Sequence, residues 1–462
     1  MQSTHTPGAD LPQVVVIGGG VSGLATATFL DGLDVTVLEA SDVAGGNVRS
    51  EHIDGRVIDC AANGWLDSEP AMGRLLARLD LTDDVIPASD RAGTRWIYAD
   101  GEMHSAPLSP PAFLKTSLIP WWAKLRVLME PFILRGPKDI DETVEAFVSR
   151  RLGPWFVDRM VGPMVAGIYA ADPGNISLAA AFPKMAAMEA EYRSLFLAML
   201  AKKRGGAPTG HLQTLPRGAG HLTEALISYL GETVQCDSPA EGLTRTKNGW
   251  RVHTPAGDID ADAVVLACPA PVQARLMRGI DSAVASALDQ IPYAPVSVVV
   301  SAWPAGAFDR RPKGFGVLVA RGEDVGVLGT LFTSEAYPHQ SREGEVLLRT
   351  MIGGSVDEAS TRLPHQQLLD RVFASHERFF GTQRAEPNLV RVFHHPEGIP
   401  QYTVGHPARV AAVAAAQDRF GGLFFAGNHL QGIGIKDCAA TGERIAGDVR
   451  GWLEITAPTE AL

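Results

Sequence analysis

Six consecutive residues near the start of the chain, Gly18, Gly19, Gly20, Val21, Ser22 and Gly23, have the types and spacing to hold a dinucleotide. They match GxGxxG. In that pattern Gly18 permits a tight turn, Gly20 lets backbone approach a pyrophosphate, and Gly23 lets a helix pack close to its strand. Amides at the start of such a helix, at the positive end of its dipole, hold phosphate oxygens. A carboxylate, Glu39, closes a second apolar run at 35–38. There it can accept both ribose hydroxyls of an adenosine, which argues against a 2′-phosphate. The alternative is a glycine turn that serves packing alone.

Three features favour FAD over a diffusible nicotinamide cofactor. Gly45-Gly46 follows Glu39 closely and offers a second place for backbone to approach the nucleotide. Long insertions follow the first half of the sheet, as enclosure of an isoalloxazine requires. Near the C-terminus, Gly427-Asn428-His429-Leu430-Gln431-Gly432-Ile433-Gly434-Ile435 links an apolar strand to a helix beginning near Asp437. The positive end of that helix would favour the N1/O2 edge of an anionic reduced flavin. On spacing alone the same segment also reads as a glycine-rich connection without chemistry.

The elements that must position these residues recur along the chain. Apolar residues 14–17 read as a buried parallel strand. Strands at 263–267 and 423–427 and the glycine turn 215–220 with its helix to Leu230 alternate in the order of a doubly wound parallel sheet. Two insertions interrupt it. Residues 109–208 are helical in pattern and interleave Trp121, Trp122, Leu125, Leu128, Met129 and Phe132 with Lys115, Lys124, Arg126 and Arg135. They read either as an interfacial membrane contact or as a helical subdomain with its own core and a solvated basic edge. Residues 273–384 show β-type runs at 296–300 and 345–349.

The length of 462 residues suits about three domains. A formal charge of -11 argues against nucleic acid as a partner. Cys60, Cys236, Cys268 and Cys438 lie far apart without ligand spacing, so they read as reduced thiols and no metal site is expected. The first ten residues lack a hydrophobic signal segment, and no apolar stretch reaches ~20 residues. We therefore expect a cytoplasmic protein that does not span a bilayer.

The later motifs are more specific. Gly167-Ile168-Tyr169-Ala170-Ala171-Asp172-Pro173-Gly174-Asn175-Ile176-Ser177 with Ala180-Ala181-Phe182-Pro183, Gly314-Phe315-Gly316-Val317-Leu318-Val319, Gly398-Ile399-Pro400-Gln401-Tyr402 and the stretch 426–438 resemble the protoporphyrinogen oxidases. These are FAD-dependent, porphyrinogen-oxidising enzymes of haem synthesis. The resemblance covers residues 13–450; the glycine motif alone is shared with amine oxidases and carotenoid desaturases.

The resemblance implies an α/β fold with a Rossmann-like FAD-binding domain of discontinuous segments (11–92, 209–272 and 385–455). A mixed β-sheet substrate domain (93–108 and 273–384) and an inserted helical, membrane-contacting domain (109–208) would complete it. FAD contacts would come from Gly18 to Gly23, Glu39, Ala40, Gly46, Asn47, Ala61, Ala62, Asn63, Gly64, Ala240, Gly427, Asn428, Ile433, Gly434 and Ile435. Substrate contacts would come from Arg95, Gly167, Phe315, Leu318, Met351 and Asn63. Arg95 fits physically, because guanidinium binds propionates bidentately. Phe315, Leu318 and Met351 would hold the apolar macrocycle, with Gly167 leaving room.

The implied reaction takes protoporphyrinogen IX to protoporphyrin IX, with oxygen as acceptor and peroxide as product. Aromatisation drives it, so no general base is assigned. A homodimer peripheral to the cytoplasmic membrane face is also implied. The nearest alternative substrate is coproporphyrinogen III. More distant alternatives are an amine oxidase or polyene desaturase, and a non-catalytic flavoprotein that binds porphyrin. Ala61-Ala62 where the family commonly has Gly-Pro, the lack of a basic residue in 42–44, and Lys436 in place of a frequent asparagine bear on substrate more than on flavin.

Overall fold

The computed structural model describes residues 11–137, 140–203 and 210–456. β1 (Gln13–Ile17) enters α1 (Val21–Phe29) and β2 (Asp34–Leu38), followed by the hairpin β3 (Ser50–Ile53) and β4 (Arg56–Asp59). β5 (Arg95–Ala99) and β6 (Glu102–Ser105) precede the helical insertion. After it come β7 (Val234–Gln235), β8 (Ala263–Leu266), β9 (Tyr293–Pro304), β10 (Gly316–Val319), β11 (Gly329–Phe332) and β12 (Glu345–Gly353). The chain closes with α2 (His365–Phe380), β13 (Leu389–Pro400), β14 (Leu423–Phe425) and α3 (Ile435–Thr456).

Five parallel strands in the order β7-β2-β1-β8-β14 form the nucleotide sheet. Its strands are apolar on both faces because both are covered. Val14 and Val16 pack with Leu24 of α1 and Ile445 of α3, while Val15 and Val264 pack with Leu266 and Leu288.

The second sheet has seven strands in the order β13-β9-β12-β11-β10-β5-β6, antiparallel except for the parallel β10–β5 pair. Two expected boundaries move. The helix Ser282–Asp289 buries Val284 and Leu288 under the nucleotide sheet, although 273–384 was assigned to the substrate domain. β13 pairs with β9 in the substrate sheet, although 385–455 was assigned to the FAD-binding domain.

α2 covers one face of the seven-stranded sheet, where Val299, Phe332 and Leu348 meet Val372 and Phe379. The opposite face, with Val298, Val300, Leu347 and Met351, receives Ile58 of β4 and Ala166 and Ala170 of the helical insertion. Nucleotide unit, substrate sheet and helical insertion therefore meet on this face. The insertion has its own core of Val144, Phe147, Val148, Val161 and Val165. A buried ion pair, Arg151 to Glu130 at 3.1 Å, ties it together. Among the described residues, no helix is long and apolar enough to cross a membrane.

Candidate active site

The three motif glycines have three distinct surroundings. Gly18 has φ +115°, and a Cβ there would lie 2.7 Å from the Cys268 amide nitrogen. A Cβ on Gly23 would lie 2.0 Å from the Gly18 carbonyl oxygen, so the helix approaches its strand as closely as glycine allows. Gly20 is different: a Cβ would meet nothing within 4 Å. This is an open cradle of the kind a pyrophosphate requires. α1 begins there with neither a capping side chain nor an acidic residue in its first turn, which leaves its positive end to an anion.

The turn at Gly45-Gly46 is laced onto this loop, with Gly45 N–H donating to the Gly19 carbonyl at 2.7 Å. Glu39 is fixed at the end of β2 by two amides: Gly19 N–H donates to its Oε2 at 2.8 Å and Ser41 N–H to its Oε1 at 2.9 Å. Ser238 N–H donates to the Glu39 carbonyl at 2.8 Å, which brings the chain leading to buried Ala240 alongside the carboxylate. Ala40, Gly46 and Asn47 are exposed around the same cradle.

The loop 61–64 and its neighbours carry polar groups that the protein leaves unpaired. Among the described residues, Asn63 Nδ2, Trp65 Nε1 and Tyr337 OH are buried without a hydrogen-bond partner. Tyr337 OH borders the loop, since a Cβ on Gly64 would come within 2.8 Å of it. Buried donors rarely stay unsatisfied, and these fit the carbonyl oxygens and ring nitrogens of an isoalloxazine.

At the C-terminal segment, Tyr402 donates to the Asn428 carbonyl at 2.5 Å, holding the turn after β14. His429 is fully buried; burial, with a smaller contribution from His406, lowers its pKa to about 3, so it is neutral. The start of α3 differs from expectation. Asp437 stands in its first turn, accepts from Gly434 N–H at 3.1 Å and pairs with Lys436 at 2.6 Å. Its charge offsets part of the helix dipole beside Ile433, Gly434 and Ile435.

Sheet register gathers the expected substrate residues. Leu318 of β10 stands opposite Gly329, and Gly329 stands opposite Met351 of β12. Gly167, on the helix Gly162–Tyr169, presses on the same leucine: a Cβ at 167 would lie 2.7 Å from Leu318 Cδ2. The space beside Gly167 is thus filled by Leu318. Arg95 and Phe315 pair with each other one row away, the guanidinium carbon 5.5 Å from the ring centroid. Arg95 is exposed, and among the described residues it makes no salt bridge.

One residue was not singled out from sequence. Arg349 is only 8% exposed, stands two positions before Met351 on β12, and its Nε has no partner among the described residues. A charged residue inside an otherwise apolar strand was the available signal.

The open glycine cradle, the carboxylate at the end of β2 and the unpaired buried donors are those of a flavin-dependent oxidoreductase. Residues 21–450 match the flavin containing amine oxidoreductases, and the chain belongs to that family. It is 32% identical to protoporphyrinogen oxidase of Bos taurus, covering 95% of this chain and 98% of the relative. It is 30% identical to coproporphyrinogen III oxidase of Propionibacterium freudenreichii subsp. freudenreichii, covering 97% and 93%. The fold is shared with a crystal structure of a protoporphyrinogen oxidase candidate from Exiguobacterium sp. 255-15. Its TM-score is 0.83 at 24% identity, with 96% of this chain and 99% of the other covered. The resemblance read from the sequence is borne out, and FAD is the cofactor.

Proposed function

We propose that this protein oxidises protoporphyrinogen IX to protoporphyrin IX, with oxygen as the electron acceptor and peroxide as product. The observation that carries the reading is the row Leu318, Gly329, Met351 beside an unpaired cation, Arg95, on the sheet face that meets the flavin loop. When bound, FAD accepts two electrons per cycle. Loss of six electrons and six protons aromatises the macrocycle, so the chain has chiefly to position it. Arg95 holds a propionate at the rim, with its guanidinium kept in place over Phe315. Leu318 and Met351 offer an apolar floor, and Gly329 between them adds no side chain. Pyrrole protons pass to solvent without a dedicated base. Aerobic incubation with protoporphyrinogen should yield porphyrin fluorescence and about three peroxides per ring; absence of both would reject the proposal.

A second reading, oxidation of coproporphyrinogen III, is supported by the Propionibacterium relative. Relative kcat/KM on the two porphyrinogens separates them.

The proposal includes a homodimer in the cytoplasm that contacts the membrane peripherally through the helical insertion expected at 109–208, by way of exposed apolar residues among 113–134. Trp121 (71% exposed), Phe132 (83%) and Leu134 (79%) are exposed, as are Leu114, Trp122, Leu125, Leu128 and Met129 of the same segment. Lys124 and Arg126 turn inward instead, donating to backbone carbonyls of Thr116 and Arg150 at 2.6 Å each. Contact by apolar insertion should therefore survive salt. Co-flotation with neutral phosphatidylcholine vesicles, lost in W121S/F132S, is the expected result; no flotation would exclude it.

A further inference from the structure

A buried cation that no carboxylate hydrogen-bonds marks a second electrostatic feature of the site: burial lowers the Arg349 pKa, and Asp59 offsets this only through space. On β12 alternate residues share a face, so Leu347, Arg349 and Met351 point the same way. Leu347 and Met351 pack with Ile58, Val298 and Val300, and Arg349 stands directly opposite Val300. The guanidinium is thus set in an apolar wall, 8% exposed, with no hydrogen bond or salt bridge among the described residues.

Asp59 is the neighbouring acid, yet its oxygens serve other groups. Oδ1 accepts from Ser50 Oγ at 2.6 Å and Ala219 N–H at 2.9 Å, and Oδ2 from Gln340 Nε2 at 3.2 Å. β4 crosses this face, anchored where Arg56 meets Glu345 at 2.6 Å and where His395 Nε2 bonds the Cys60 carbonyl at 3.1 Å. The residues that follow Cys60 are the 61–64 loop, in which Asn63 Nδ2 is unpaired. Arg349 therefore lies beside the end of β4, near Asp59 and Cys60 where the 61–64 loop begins, whereas Arg95 is three strands away in the same row, through Gly316 and Leu331. At ~4.8 Å per strand that is about 14 Å.

A buried charge with no hydrogen-bonded counter-ion, balanced only through space by Asp59, stays costly unless a ligand completes it. We infer that Arg349 supplies the positive charge that stabilises the reduced, anionic flavin. The opening turn of α3 serves this end poorly, because Asp437 offsets its dipole. Transfer of a hydride, two electrons and one proton, turns the neutral oxidised ring into a monoanion. The guanidinium balances that charge and neither gains nor loses a proton. This rests on bound FAD, not on porphyrinogen being the substrate.

The test uses FAD-loaded protein with no porphyrinogen. In R349M the flavin potential should fall by at least about 30 mV, tenfold for a two-electron couple, and sulfite should bind at least tenfold more weakly. R349K should stay within threefold of the parent on sulfite. Apo R349M should melt no lower than the parent, because an unpaired buried charge has been removed. Unchanged potential and sulfite affinity in R349M would overturn the inference. R349Q carries the same expectation. Failure of both neutral variants to retain FAD would also overturn it, since oxidised flavin is neutral and needs no cation here.

Discussion

Replacing Gly20 by valine should separate cofactor binding from folding. A Cβ at this position meets nothing within 4 Å, and the backbone is extended at φ -76°, ψ 175°, which valine adopts freely. The apoprotein should therefore change in stability by no more than ~0.5 kcal/mol. The added methyls would occupy the cradle, displacing the pyrophosphate from the α1 amides. Losing two charge-assisted hydrogen bonds at ~1.5–3 kcal/mol each costs ~3–6 kcal/mol, a weakening of ~10²–10⁴ in Kd. Melting curves of apoprotein with added FAD read both quantities. At FAD one hundred times the parent Kd, the parent gains ~2.7 kcal/mol, and the Gly20→Val protein should gain almost none. Gly23→Ala is the contrast: its Cβ would sit 2.0 Å from the Gly18 carbonyl, so the apoprotein itself should lose ~1–3 kcal/mol to overpacking. A Gly20→Val protein that binds FAD like the parent, or that unfolds as readily as Gly23→Ala, would refute this reasoning.

Arg95→Ala should raise KM for a porphyrinogen ~10–100-fold, the loss of one charge-assisted contact of ~1.5–3 kcal/mol, while the flavin-to-protein ratio stays constant; an unmoved KM would remove Arg95 from the site. Stability should fall with acid through buried histidines. Burial lowers His376 and His429 to about 3 and His406 to about 4, from an ordinary 6.5. These depressed values mean that the unfolded chain binds more protons as pH falls from 6.5 toward 4. The contribution is whole above pH 6.5 and lost below it, at about 4 kcal/mol per pH unit for three protons. Denaturant melts at stepped pH should show this slope reduced by about a third in His376→Phe; an unchanged slope would contradict the assignment.

The nucleotide half was legible because its determinants are local. The GxGxxG turn, the carboxylate after β2 and the apolar strands each lie within a dozen residues, and the structure gives each glycine the surroundings its position requires. The substrate face was less so. Leu318, Gly329 and Met351 share a row through antiparallel register, which no local pattern reveals. Arg349 looked like an ordinary strand residue, since its burial depends on β4, almost three hundred positions earlier in the chain. β13 went unseen because His394, His395, Pro396 and Glu397 mask it. As an edge strand it tolerates both the polar residues and the proline. Asp437 was visible, but its hold on Gly434 depends on how the turn folds back.

Anaerobic titration of the FAD-loaded protein with protoporphyrinogen tests the central claim most directly. Each porphyrinogen should bleach three flavins and leave one fluorescent porphyrin, with coproporphyrinogen run alongside to rank the two. Flavin that stays yellow with both compounds would contradict the account.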